Sequence, residues 1–122
     1  APIKETTQKP IIEKALRFVE LLDQQQPLKA WASTTTYFQK KLPPKRWQRL
    51  YRNERLRYGR PLNRRVSGYR FFSSYEQALD GLYLHVRFRT DFEARNNVIE
   101  RVMVYKDFDG RWRVIGYFLE LE

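Results

Sequence analysis

Along the first quarter of the chain the apolar positions recur at helical spacing. Ile11, Ile12, Ala15, Leu16, Phe18, Val19 and Leu22 share one side of a helical wheel, which predicts an amphipathic helix over about residues 7–24. Pro10 falls in the first turn of that span, where a missing N–H costs nothing, and Pro27 follows its end. A second helix is expected from about Pro27 to Lys41, with Leu28, Trp31, Thr35, Phe38 and Leu42 in line. The run Ser33-Thr34-Thr35-Thr36 weakens it, because these residues have low helix propensity. Pro43 and Pro44 stop that helix and start a third, from about Pro44 to Tyr58, closed by Gly59 and Pro61. Trp47, Leu50, Tyr51 and Tyr58 fall on one side of it, the first three as core anchors, and cations cover the rest. Glu54 is the exception. Its direction lies inside the apolar stripe, so an ion pair with Arg55, Arg64 or Arg70 is expected there.

After Arg64 the period changes to 2, and segments at about 65–75, 81–93, 97–106 and 111–120 read as strands. The clearest has Leu82, Leu84, Val86, Phe88 and Phe92 alternating with Tyr83, His85, Arg87, Arg89 and Asp91. Asp107-Phe108-Asp109-Gly110 is a hairpin turn, with Gly110 supplying a positive φ. Helices followed by an antiparallel meander is an α+β order. The expected fold is one domain, residues 1–122, with 1–6 as a disordered tail. Three N-terminal helices pack on one face of a curved four-stranded antiparallel sheet, sharing a core of Trp31, Phe38, Trp47, Leu84, Val86, Phe88 and Phe92.

Charge sharpens this picture. Half of the 24 Lys and Arg, but one of the 14 Asp and Glu, lie between Lys40 and Arg70, so that segment owns the whole basic excess of a chain whose net charge is +10. The other 91 residues carry 12 cations and 13 acids. Such asymmetry bears on association with anions. The absence of cysteine excludes disulfides, thiol catalysis and Cys-based metal sites. The chain opens Ala-Pro without Met, as a mature protein cut after a small-residue signal site would, and export to the periplasm or beyond is the expected fate.

An ordered set of residues carries a family resemblance: Leu21-Leu22-Asp23, Trp31, Phe38, Trp47, Arg55 four before Gly59, Arg64, Asp80-Gly81, Phe92, Glu100 and the closing DGRWRVIGYF at 109–118. From about Ala15 onward the chain resembles the bacterial domain of unknown function 4019 family. The resemblance implies an exported or envelope-associated bacterial protein and a cone-shaped fold similar to nuclear transport factor 2, the ketosteroid isomerases and cystatin. Gln25 and Pro27 depart from the family's habit of Gly after the first helix and an aromatic soon after, and the third helix is more basic than usual. The family brings no catalytic residues with it.

His85 is the only histidine, which excludes multi-histidine metal sites, and no metal or cofactor is expected. The run SGYRFFSSY at 67–75 has Arg70 where an RNA-recognition strand has a small residue, and Asp107, Asp109 and Gly110 lack the calcium-loop spacing. The third helix and the loop after it are the best candidate surface, with Lys45, Arg46, Arg49, Arg52, Arg57, Arg60 and Arg65 as its binding residues. Acids at i±4 would relieve the like charges at Arg46, Arg49, Arg52 and Arg55, and they are nearly absent. The expectation is a non-enzymatic envelope binding or accessory domain facing an acidic protein or anionic lipid headgroups. Its rivals are a small-ligand or isomerase-like pocket containing Tyr83, His85 and Asp91, and nucleic-acid binding, which lacks a base-reading motif.

Overall fold

A computed structural model describes residues 5–73 and 80–121, with side chains from residue 8 onward. Four α-helices precede four strands: α1 (Glu5–Asp23), α2 (Pro27–Ala32), α3 (Thr36–Lys41), α4 (Pro44–Leu50), then β1 (Pro61–Phe72), β2 (Tyr83–Phe92), β3 (Val98–Lys106) and β4 (Trp112–Leu121). The strands pair antiparallel in chain order. The α+β class and the four-stranded meander therefore stand. The end of the first expected strand, residues 74 and 75, lies outside the described residues, as do residues 1–4 of the expected tail; α1 already begins at Glu5. Among the described residues no helix is long and apolar enough to cross a membrane.

The helices number four because the expected second one breaks. Thr35 leaves helical geometry, and its hydroxyl accepts from the Phe38 N–H at 3.1 Å, capping α3. Thr34 and Thr35 instead meet β4, where the Thr35 N–H donates to the Val114 carbonyl at 3.0 Å. The hydroxyl-rich run thus supplies a cap and a strand-edge contact, and Leu28, expected inside, is 44 % exposed.

On β2 the alternation holds along its length: Leu84, Val86, Phe88, Thr90 and Phe92 are buried, and the residues between them, apart from Tyr83, are half-buried. Leu84, Val86 and Phe88 join Ile11, Ala15, Phe18 and Leu22 of α1 and Phe38 and Trp47 in one core. Trp47 has Phe38 edge-on at 5.4 Å and Phe18 tilted at 6.0 Å. Phe92 belongs to a second, smaller cluster with Tyr58 and Val98, where its ring stacks on Tyr58 at 5.7 Å. Trp31 is half-buried against the main core.

Beyond α4 the helix changes its winding. Tyr51–Arg55 form a π-turn, closed by the Leu56 N–H on the Tyr51 carbonyl, and Leu56–Tyr58 form a 3₁₀ turn. An i→i+5 closure takes one more residue per turn than an α-helix, so the face presented inward slips by one position. Arg55 takes the buried place and Glu54 is exposed, without an ion pair among the described residues. The expected Glu54–arginine pair is therefore corrected: the buried charge on this stripe is cationic. Leu50, expected as an anchor, is 39 % exposed, since it lies about 60° from Trp47 at the stripe's edge.

Candidate functional site

The twelve cations between Lys40 and Arg70 go to different places. Lys45, Arg46, Arg49 and Arg52 are exposed on the outward side of α4 and the π-turn, and none has an ion pair among the described residues. The opposite side of the same segment is spent on the core, with the Trp47 indole donating to the Pro27 carbonyl at 2.7 Å and the Tyr51 hydroxyl to the Leu22 carbonyl at 2.8 Å. Arg57, also exposed, lies with its guanidinium 5.3 Å from the Tyr58 ring centroid. Arg60 is exposed but engaged: its backbone N–H donates to Glu93 Oε1 at 2.7 Å and its guanidinium sits 3.4 Å from the same oxygen. Arg65 leaves the group altogether. It sits on β1 opposite Arg89, so the sheet carries it rather than the helix.

Two of the twelve are internal. Asp23, at the end of α1, accepts from Arg55 Nη2 at 2.5 Å and from Arg64 Nη1 at 2.6 Å. Arg64 also donates through Nε to Glu100 Oε1 at 2.8 Å, and Glu100, fully buried on β3, accepts from the hydroxyls of Thr90 at 2.7 Å and Tyr117 at 2.5 Å. The Phe92 ring lies beneath, 4.2 Å from the Arg55 guanidinium. Two cations meet two carboxylates, so the cluster is neutral. Burial works against the charge on Arg64, but its bonds to Asp23 and the nearness of Glu100 outweigh this and raise its pKa. Burial, with Glu100 beside it, pushes the Tyr117 phenol well above its ordinary value and keeps it a donor. Arg55 Nε is the exception: it is buried, 3.9 Å from Glu100, with no hydrogen-bond partner among the described residues. The network fastens α1, the π-turn and all four strands behind the exposed cations.

Sequence reasoning missed this network as a unit, although a signal existed. Alternation on β3 puts Glu100 on the same side as Val98 and Val102, and a carboxylate there must be paired. Nothing in the linear pattern tells which cations reach it.

Tyr83, His85 and Asp91 alternate with the core positions of β2 and so face away from the helices, on the open side of the sheet. Tyr83 is buried there between Phe72, stacked at 5.1 Å, and Tyr105, at 4.9 Å. Burial, with Tyr105 next, pushes its phenol to about 12. His85 is half-buried with Arg101 Nη1 3.5 Å from its Nε2, and burial followed by Arg101, Arg70 and Arg87 lowers its pKa. Asp91 Oδ1 accepts the Asn97 N–H at 2.8 Å. The three do not converge on an enclosed site between sheet and helices. Among the described residues no cluster of three or more His, Asp or Glu is arranged to hold a metal ion.

Fold and surface together define a small basic α+β domain with a cationic helix face over a buried ion-pair network. The chain belongs to the family described as protein of unknown function DUF4019, whose pattern matches residues 14–117. Neither curated proteins nor solved structures offer a match to it.

Proposed function

We propose that this is a non-catalytic binding domain of the bacterial cell envelope, exported and shaped as a cone of the nuclear transport factor 2 kind, whose helix face docks an acidic partner. Lys45, Arg46, Arg49 and Arg52 make the contact, with Arg57 at the margin. One observation carries the reading: the aromatic side of this segment is consumed by the core while its cationic side has no ion pairs among the described residues. Arginine predominates there, as suits bidentate contact with carboxylate or phosphate. The acidic group belongs to a protein surface or to anionic lipid headgroups.

The test compares native domain with Arg46→Glu/Arg49→Glu/Arg52→Glu, in capture from an envelope extract and in cosedimentation with phosphatidylglycerol vesicles. The variant should unfold at nearly the native temperature, since exposed substitutions usually change stability by about 0.5 kcal/mol or less each. Its binding in the arm that retains native protein should be lost. Native binding should also weaken steeply with added salt, because exposed charges are screened beyond about 8 Å at physiological ionic strength. Undiminished capture of the variant, or salt-independent binding, would sink the reading.

A further inference from the structure

A second cationic site exists that shares no residue with the helix face. A cleft of about 330 Å³ opens between α1, α2 and the start of β4. Its cations are Lys14 and Arg17 from α1, Lys29 from α2, and Arg111 and Arg113 beside β4, and no acid lines it. They come from the part of the chain that is electrically balanced, so composition gives no reason for them to meet. Arg113 is already neutralised, by Asp107 at 2.9 Å and Asp109 at 2.8 Å. The other four have no ion pair among the described residues. Like charges gathered around a concave site repel, and an anion in the cleft relieves the repulsion.

Apart from Ser33, the rest of the lining is apolar. Phe18 and Leu21 of α1 and Val114 of β4 bring the core's edge to the cleft wall, and Trp112 stands half-buried between this cleft and a second hollow lined by Pro10 and Ile11. The Trp31 and Trp47 indoles donate to backbone carbonyls, whereas the Trp112 indole has no hydrogen-bond partner among the described residues. Its ring is fixed edge-on to Phe71 at 6.3 Å. Lys14, Arg17, Phe18 and Leu21 fall on one side of α1 by their i, i+3, i+4, i+7 spacing.

We infer that this cleft binds an amphiphilic phosphate, with its head among Lys14, Arg17, Lys29 and Arg111 and its apolar body against Phe18, Leu21 and Trp112. Four unneutralised cations suit a doubly charged phosphate monoester better than a single carboxylate. The concave apolar wall suits a body that free phosphate lacks.

The experiment titrates the native domain by calorimetry with octyl phosphate below its micelle concentration, with inorganic phosphate, and with neutral octyl glucoside. Octyl phosphate should bind saturably and at least tenfold more tightly than either control. Lys14→Glu/Arg111→Glu, at two exposed positions, should weaken it tenfold or more. Arg46→Glu/Arg49→Glu, an equal change in charge on the helix face, should leave it within twofold. Equal losses in the two variants would reduce the effect to net charge and overturn the site. Parity between octyl phosphate and inorganic phosphate, or between octyl phosphate and octyl glucoside, would overturn it too. Retention on phosphatidic acid vesicles without saturable binding of soluble octyl phosphate would mean surface adsorption in place of a cleft.

Discussion

Trp47 is held on every side: Phe38 and Phe18 flank its ring, and its N–H has a carbonyl partner at 2.7 Å. Truncating it removes a large buried ring and orphans the Pro27 carbonyl. Trp47→Ala should therefore cost about 3–5 kcal/mol in urea unfolding, and a loss under about 1 kcal/mol would contradict its place in the core. On the surface, Asp109 shows how a fixed cation sets a titration. The hydrogen bond from Arg113, then the Arg111 N–H, lowers its pKa from 3.8 to about 2. A carboxylate depressed on folding stabilises the fold above its unfolded pKa, and the contribution fades as pH falls from about 4 through about 2. In a carboxyl NMR titration Asp109 should change near pH 2. In Arg113→Gln its midpoint should rise towards the ordinary aspartate range, and an unmoved midpoint would mean that the pair has no electrostatic effect in solution.

The segment from Pro44 to Tyr58 shows how an element's winding decides which charge it buries. With α-helical winding throughout, Glu54 would lie inside the apolar stripe and Arg55 at its edge; the π-turn brings Arg55 inward and leaves Glu54 outside. Arg55 can then reach Asp23 on α1 and the Gly59 carbonyl, the latter at 3.1 Å. Arg55→Ala should consequently destabilise by about 3–5 kcal/mol, because it leaves half-buried Asp23 and fully buried Glu100 with one cation between them. Glu54→Ala should change stability by about 0.5 kcal/mol or less. Similar costs for the two, measured by denaturant unfolding, would argue for uninterrupted α-helix. The break between α2 and α3 has a related cause: the Thr35 hydroxyl caps α3 while its backbone N–H turns to the Val114 carbonyl of β4 instead of continuing the helix.

Across the domain as a unit, the basic excess is spread over surfaces of different character. Part of the 40–70 run covers the helix face, Arg55 and Arg64 lie in the interior, and Arg65 and Arg70 join His85, Arg87 and Arg101 on the open side of the sheet. The balanced remainder of the chain adds the cleft of Lys14, Arg17, Lys29 and Arg111. Fields of this kind attract anions over a range set by salt, and the cleft adds shape and an apolar wall to its cations. The helix face and the cleft are therefore separable in experiment.

Two periodicities, 3.6 and then 2, together with prolines at the helix borders and Gly110 in its turn, were enough to establish the α+β order, the positions of β2 to β4 and the inward set on β2, while β1 begins at Pro61, about four residues before the expected start. The ordered residues from Leu21 to Phe118 were enough to reveal the family. These are local signals, carried by neighbours a few positions apart. Packing decided the rest. The exchange of Glu54 for Arg55 depends on a π-turn that the intrinsic propensities of its residues do not demand. The Asp23–Arg55–Arg64–Glu100 cluster joins groups from four elements, and the cleft gathers cations that lie as far apart as Lys14 and Arg111. Charge counted along a chain is blind to such meetings, because the energy of an ion depends on its burial and its neighbours in space.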